Sequence, residues 1–352
     1  MTRTPSRELR IGSVLVGADH PPFVIAELSA NHLRSLPRAL AIIDAAAAAG
    51  CQAIKLQTFT PGAMTLDAPM EGFTIVGGPW SGRTLWDLYD EAHTPWAWHA
   101  PLFERAAERG MIAFSTPFDE EAIERLDRLG APAFKIASFE LVDLELIACA
   151  ARTGKPLIMS TGMASDDEVG EALEVARTHG AGGIALLHCV SGYPTPIAAT
   201  NLRRLDALAA HGTVIGISDH SPGSVVPTAA VARGATLVEK HLTLARADGG
   251  PDAGFSLEPA EMAEVVRHTR LAWEALGDGS ARRPAIEAEN RKFRRSLYAV
   301  ADIAPGALLS RDNVRSIRPG FGLAPRELPT VLGRVAKVAI PRGTPLAGAL
   351  LA

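Results

Sequence analysis

Short apolar, β-branched runs recur along this chain, each followed by a longer stretch with helical spacing, and that alternation limits the fold more than any other feature. The runs fall at 23–28, 53–58, 112–116, 133–138, 157–161, 184–189, 214–218 and 237–241. Bounded by turn residues, they read as buried parallel strands, while 36–49, 120–129, 166–179 and 259–276 carry the period of amphipathic helices. Eight such units in about 250 residues are the count of an α/β fold of the (β/α)8 TIM-barrel type. A doubly wound open sheet uses the same unit, but no glycine-rich dinucleotide turn follows the first run.

Two stretches break the rhythm. Residues 59–95 are rich in Gly, Pro and Trp with little helical pattern, and a connection of that length is usually a binding loop or lid. Trp80, Trp86, Trp96 and Trp98 cluster in this loop, with Trp96 and Trp98 expected to pack it down. After Gly277 a polar, charged segment precedes short apolar runs separated by turn signals. The expected organisation is a catalytic barrel over 1–277, a linker over 278–293 and a small strand-rich domain over 294–352. So small a domain buries a modest core.

Composition narrows the class. With 47% hydrophobic and 21% charged residues the 352-residue chain is an ordinary globular one, and its net charge of −4 offers no field for nucleic acid or an anionic membrane. Three scattered cysteines read as reduced thiols rather than a disulfide framework. The first residues lack the apolar core of a signal peptide. A cytoplasmic soluble protein is expected, with no membrane or nucleic-acid partner.

Polar residues collect where the expected strands end, at the rim where barrel enzymes do chemistry. Lys55 and Lys135 sit inside otherwise apolar strands, where a charge is costly unless it pairs with a carboxylate or meets an anion. Thr116, Ser138, Ser160, Ser191 and Ser218 add neutral donors at neighbouring strand ends, so phosphate or carboxylate is the ligand class they suit. His220 and His241 end adjacent strands. A single such histidine is more often a hydrogen-bonded core residue; two, with Glu27 on the strand beside them, suggest an open divalent-metal site suited to Mn2+ or Mg2+. His32 and His188 share the rim and read as structural. The run from Glu287 to Arg295 reads as solvated linker.

Taken in order, Ala26-Glu27 with Asn31-His32, Lys55-Leu56-Gln57-Thr58, Phe114-Ser115-Thr116-Pro117, Phe134-Lys135-Ile136, Ser160-Thr161-Gly162-Met163, Tyr193-Pro194, Ser218-Asp219-His220 and Glu239-Lys240-His241 resemble one family. It is the phosphoenolpyruvate-condensing synthases of nonulosonic acids, the sialic acid synthase group. Ile317-Arg318-Pro319-Gly320 resembles the signature of the antifreeze-like (SAF) domain that ends such enzymes. Leu28-Ser29-Ala30, Ala137-Ser138-Phe139 and Leu85-Trp86-Asp87-Leu88-Tyr89 are similar to the branch that makes pseudaminic acid.

The resemblance implies condensation of phosphoenolpyruvate with a 2,4-diacetamido-2,4,6-trideoxy-L-altrose, with phosphate released. It implies a divalent metal on His220 and His241. Lys55, Thr116, Lys135, Ser138, Ser160, Ser191 and Ser218 would hold phosphate and carboxylate, and Ser191 replaces the asparagine common in sialic acid synthases. Glu27, Glu140, Tyr193 and Asp252 would meet the sugar, with Glu27 also able to move protons. Arg318 would reach a partner's pocket in a domain-swapped homodimer. Open alternatives are a sialic or legionaminic acid synthase, a barrel phosphohydrolase using the histidines alone, and a non-catalytic glycan- or ice-binding protein.

Overall fold

Strand residues alternate between two faces, and the sequence uses both faces differently. In the computed structural model, which describes residues 8–68, 70–280 and 284–352, eight parallel strands close on themselves. They are β3 (Phe23–Glu27), β4 (Ala53–Thr58), β5 (Ile112–Pro117), β6 (Phe134–Ile136), β7 (Leu157–Ser160), β8 (Ile184–Cys189), β9 (Val214–Ser218) and β10 (Leu237–His241). The order is sequential, and β10 pairs with β3 to seal the ring. Val24, Ile54, Leu56, Ile136 and Val238 face outward into one continuous core with the surrounding helices. Phe23, Ile25, Ala53, Phe114, Ile158 and Leu237 face inward and fill the N-terminal half of the barrel. Gly216 leaves no room for a side chain, since a Cβ there would meet Leu237 O at 2.6 Å.

A feature the sequence reading passed over lies ahead of the barrel. Strands β1 (Glu8–Ile11) and β2 (Val14–Gly17) form an antiparallel hairpin. Its Leu9, Ile11 and Val16 are buried in the same cluster as the inward residues at the strand starts. The hairpin thus stoppers the N-terminal end with apolar side chains.

The long connection after β4 corrects the expectation of a loop with little helix. A short turn at Pro61–Met64 is followed by a Thr74–Thr84 bridge and a helix at Leu85–Ala92. Thr84 Oγ1 accepts the Asp87 amide at 3.0 Å and starts that helix. Trp96 and Trp98 belong to the next helix, Trp96–Glu108, rather than to the loop. Trp98 packs on the outer core, and the Arg125 guanidinium lies 4.3 Å from the Trp96 ring.

By contact the chain divides into two compact units, Met1–Gly277 and Asp278–Ala352. In the second, β11 (Ser296–Ala299) pairs antiparallel with β12 (Val314–Ile317) over a core of Leu297, Ile303, Leu309, Ile340 and Leu351. Residues Ala285–Glu287 and Glu289–Phe293, in the segment read as linker, form 3-10 turns. No helix among the described residues is long and apolar enough to cross a membrane.

Candidate active site

Strand alternation that places Phe23 and Ile25 inside the barrel also places Glu27 there, one step further up. The same parity carries Lys55, Lys135, Glu239 and His241 inward on their own strands. The centre of the barrel above its apolar floor is therefore ionic. Lys55 Nζ contacts Glu27 Oε2 and lies 3.7 Å from Glu239 Oε1, and Lys135 Nζ is also 3.7 Å from that Glu239 oxygen. All four side chains are at most 5% exposed. Around them Lys55 donates to Thr116 Oγ1 at 3.1 Å, Lys135 to Ser160 Oγ at 2.7 Å, and Ser218 to Glu239 at 3.0 Å.

Burial and pairing pull these groups in different directions. Burial pushes the Glu27 carboxyl up to about 7 against the pull of Lys55. Glu239 is also penalised by burial, but Lys135 and Lys55 together hold it below the usual carboxylate range. Burial lowers Lys135 despite Glu239, whereas two carboxylates more than offset burial at Lys55 and raise it. Opposed shifts of this kind in one buried cluster are a mark of candidate functional sites. Glu239 was not assigned a role from the sequence. The signal was available: a lysine in a strand needs a counter-charge, and Glu239 is the acid of the same inward row.

Ser138 and Ser191 meet above Gly162. Its amide donates to Ser138 Oγ at 3.1 Å, and a Cβ on Gly162 would lie 2.4 Å from Ser191 Oγ. Ser191 Oγ is buried with no hydrogen-bond partner. Two hydroxyls, one of them without a partner, suit an anion.

Beside this cradle opens a cavity of about 460 Å³, walled by Phe59, Trp80, Tyr89, Phe139, Tyr193 and Phe255, with Glu140, His241 and Asp252 as its ionisable groups. That size fits a small ligand. Trp80 is fixed by donating its indole N–H to Pro251 O at 2.8 Å. Tyr193 lies 4.4 Å from His220 and 5.0 Å from Phe255, centroid to centroid. Burial raises Glu140 to about 7, and its Oε2 has no partner. Asp252 accepts from Ser29 Oγ and from the Ala30 amide at 3.3 Å.

His220 and His241 face each other with ring centroids 5.4 Å apart. His220 Nδ1 meets the Val190 carbonyl at 3.2 Å, so Nδ1 carries a hydrogen and Nε2 is the nitrogen left for a ligand. His241 Nδ1 is buried and unpartnered. Two imidazoles with uncommitted nitrogens fit a divalent ion completed by water and substrate. No group of three His, Cys, Asp or Glu side chains forms a ready metal cage among the described residues. His32 and His188 are committed to backbone carbonyls, of Ala92 at 3.1 Å and Thr200 at 2.6 Å. Arg318 lies in the second unit, exposed, just after β12.

Comparison with known proteins decides the ancestry of this site. The NeuB family model matches residues 42–281 and the SAF domain model residues 294–352. This chain belongs to the NeuB family. Among its NeuB-family relatives, the pseudaminic acid synthase of Campylobacter jejuni is 43% identical over 93% of this chain and 96% of its own. The pseudaminic acid synthase of Helicobacter pylori is 40% identical, again over 93% and 96%. The crystal structure of the N-acetylneuraminic acid synthetase of Leptospira borgpetersenii superposes with a TM-score of 0.73 at 32% identity, covering 81% of this chain and 95% of that one.

Proposed function

We propose that this NeuB-family protein is a pseudaminic acid synthase, joining phosphoenolpyruvate to 2,4-diacetamido-2,4,6-trideoxy-L-altrose. The observation that carries the reading is the pair of buried ammoniums, Lys55 and Lys135, beside an aromatic-walled cavity with few polar groups. The phosphate and carboxylate of phosphoenolpyruvate would take over the charges that Glu239 now balances, with Thr116, Ser138, Ser160, Ser191 and Ser218 donating to its oxygens. A six-deoxy sugar bearing two acetamido groups offers apolar faces to Phe139, Trp80 and Phe255. Glu140, Tyr193 and Asp252 remain for its hydroxyl and amide groups.

In the reaction a bond forms between C3 of phosphoenolpyruvate and the aldehyde carbon of the open-chain sugar. Water adds at C2, and the C2–O bond to phosphate breaks. The aldehyde oxygen gains a proton, and Glu27, held near neutrality and close to the anion site, is poised to move it. A divalent cation held by His220 and His241 would supply Lewis-acid polarisation of the aldehyde. Tyr193 and Phe255 pack the imidazoles in place and keep bulk water from them.

For the second unit we infer the partner role that the SAF resemblance implies. Arg318, exposed and in no ion pair among the described residues, would complete the sugar pocket of another subunit in a domain-swapped homodimer. An Arg318→Ala chain mixed with a barrel-dead chain should regain activity as heterodimers form. The compartment is the cytoplasm, where unpaired Cys51 and Cys189 stay reduced.

Phosphate release by the purified protein tests the main reading. Activity should need phosphoenolpyruvate, Mn2+ and the altrose sugar together. Turnover with N-acetylmannosamine instead would replace this substrate assignment, and release without any sugar would indicate a phosphohydrolase.

A further inference from the structure

Strand parity that turns His220 and His241 into the barrel turns the residues just before them outward. Those residues should be apolar, like Val238 and Ile217 on the same face. They are Asp219 and Lys240. Lys240 Nζ lies 2.8 Å from Asp219 Oδ2, with side chains 1% and 2% exposed. The ammonium also contacts Ser221 O and lies 3.4 Å from Gly223 O. Asp219 Oδ1 accepts the Ser221 amide at 2.9 Å, and Oδ2 accepts the Ser221 hydroxyl at 3.0 Å. Two charges without solvent cost stability unless every bond is made, and here nearly every one is.

We propose that Asp219 and Lys240, with Ser221, are positioning residues for the imidazole pair. β9 and β10 pair with Glu239 opposite Ser218, and the Asp219 amide donates to Glu239 O at 3.0 Å. The ion pair therefore sits one residue below the two histidines and ties their strand ends across the register. It also fixes the turn that leaves His220. With that tie in place the spacing of the two rings is set before any cation arrives. Without it each ring depends on a strand end that frays independently. Supports of this kind typically change metal affinity 10- to 100-fold.

The inference rests on the two-imidazole metal reading and is tested separately from turnover. Mn2+ binding to the full protein is measured from the paramagnetic resonance of free Mn2+, phosphoenolpyruvate binding by calorimetry without metal, and folding by circular dichroism. Lys240→Met and Asp219→Asn should weaken Mn2+ binding about 10- to 100-fold. Phosphoenolpyruvate affinity should move less than about threefold, because its charge partners Lys55 and Lys135 stand on β4 and β6, and of its proposed donors only Ser218 shares a strand with the ion pair. Folded variants that bind Mn2+ within twofold of the parent overturn the proposal, as does an equal loss of both affinities. Should neither variant fold, Ser221→Ala decides, since it removes only one hydroxyl. It should weaken Mn2+ binding at least threefold, and unchanged binding overturns the proposal. A parent protein that takes up no Mn2+ fails at the metal reading and removes the inference with it.

Discussion

Glu239 and Lys135 project from opposite strands of the barrel, β10 and β6, and meet 3.7 Å apart at its centre. The same Glu239 oxygen is equally far from Lys55. One carboxylate thus stands between two ammoniums, where a dianion would otherwise sit. Lys135→Met should therefore raise the dissociation constant of phosphoenolpyruvate about 10- to 100-fold, the worth of one charge-assisted contact at ~1.5–3 kcal/mol. Calorimetry with phosphoenolpyruvate alone measures it, and unchanged affinity would remove Lys135 from the anion site.

His241→Ala should abolish turnover while leaving the circular dichroism spectrum intact. Chelation of the parent protein should do the same, reversed by excess Mn2+. The variant should not recover at any Mn2+ concentration; recovery would mean that His241 holds no metal.

Glu140 is expected to make stability depend on pH. Its carboxyl rises from 4.5 to about 7 through burial. The folded state then holds a proton that the unfolded chain has released, so stability falls as pH climbs between these values. The contribution is full below about 4.5 and gone above about 7, at most ~3 kcal/mol. Urea unfolding across that window checks it: Glu140→Gln should make the slope shallower, Glu27 supplying the remainder because burial raises it over the same range, and an unaltered slope would refute the assignment.

Trp80 is held over the cavity by its bond to Pro251 O. Trp80→Ala should raise the KM for the sugar about tenfold and leave that for phosphoenolpyruvate nearly unchanged, a loss of ~1.4 kcal/mol in sugar binding. Parallel changes in both constants would mean that Trp80 shapes the whole site.

Ile11 is fully buried in the hairpin that stoppers the barrel. Ile11→Ala should cost about 2–4 kcal/mol of stability, seen as a lower melting temperature, with the activity of the folded protein retained. A wild-type melting curve would show that the hairpin is dispensable.

The barrel was legible because each strand is a β-branched run bounded by turns, and the rim because lysine and histidine interrupt those runs at one end. Other parts gave weaker signals. The hairpin strands hold only four residues each, too few for periodicity to register, and the inward barrel residues they pack against are spread along the chain from Phe23 to Leu237. The helix at Leu85–Ala92 was hidden by the glycines and prolines before it, although Thr84 and Asp87 carry its cap. Glu239 was visible but unassigned, since its role depends on lysines from β4 and β6 that only closure of the ring brings to it. Asp219 and Lys240 read as part of two motifs, and only strand parity shows that they face away from the histidines they adjoin.

Closure of one end by Leu9, Ile11 and Val16 makes the barrel a vessel with a single doorway. The anion cradle lies on the strands, and the aromatic walls stand nearer the mouth. A sugar seated between those walls would shut in whatever lies beneath it, so the anion would have to enter first and leave last.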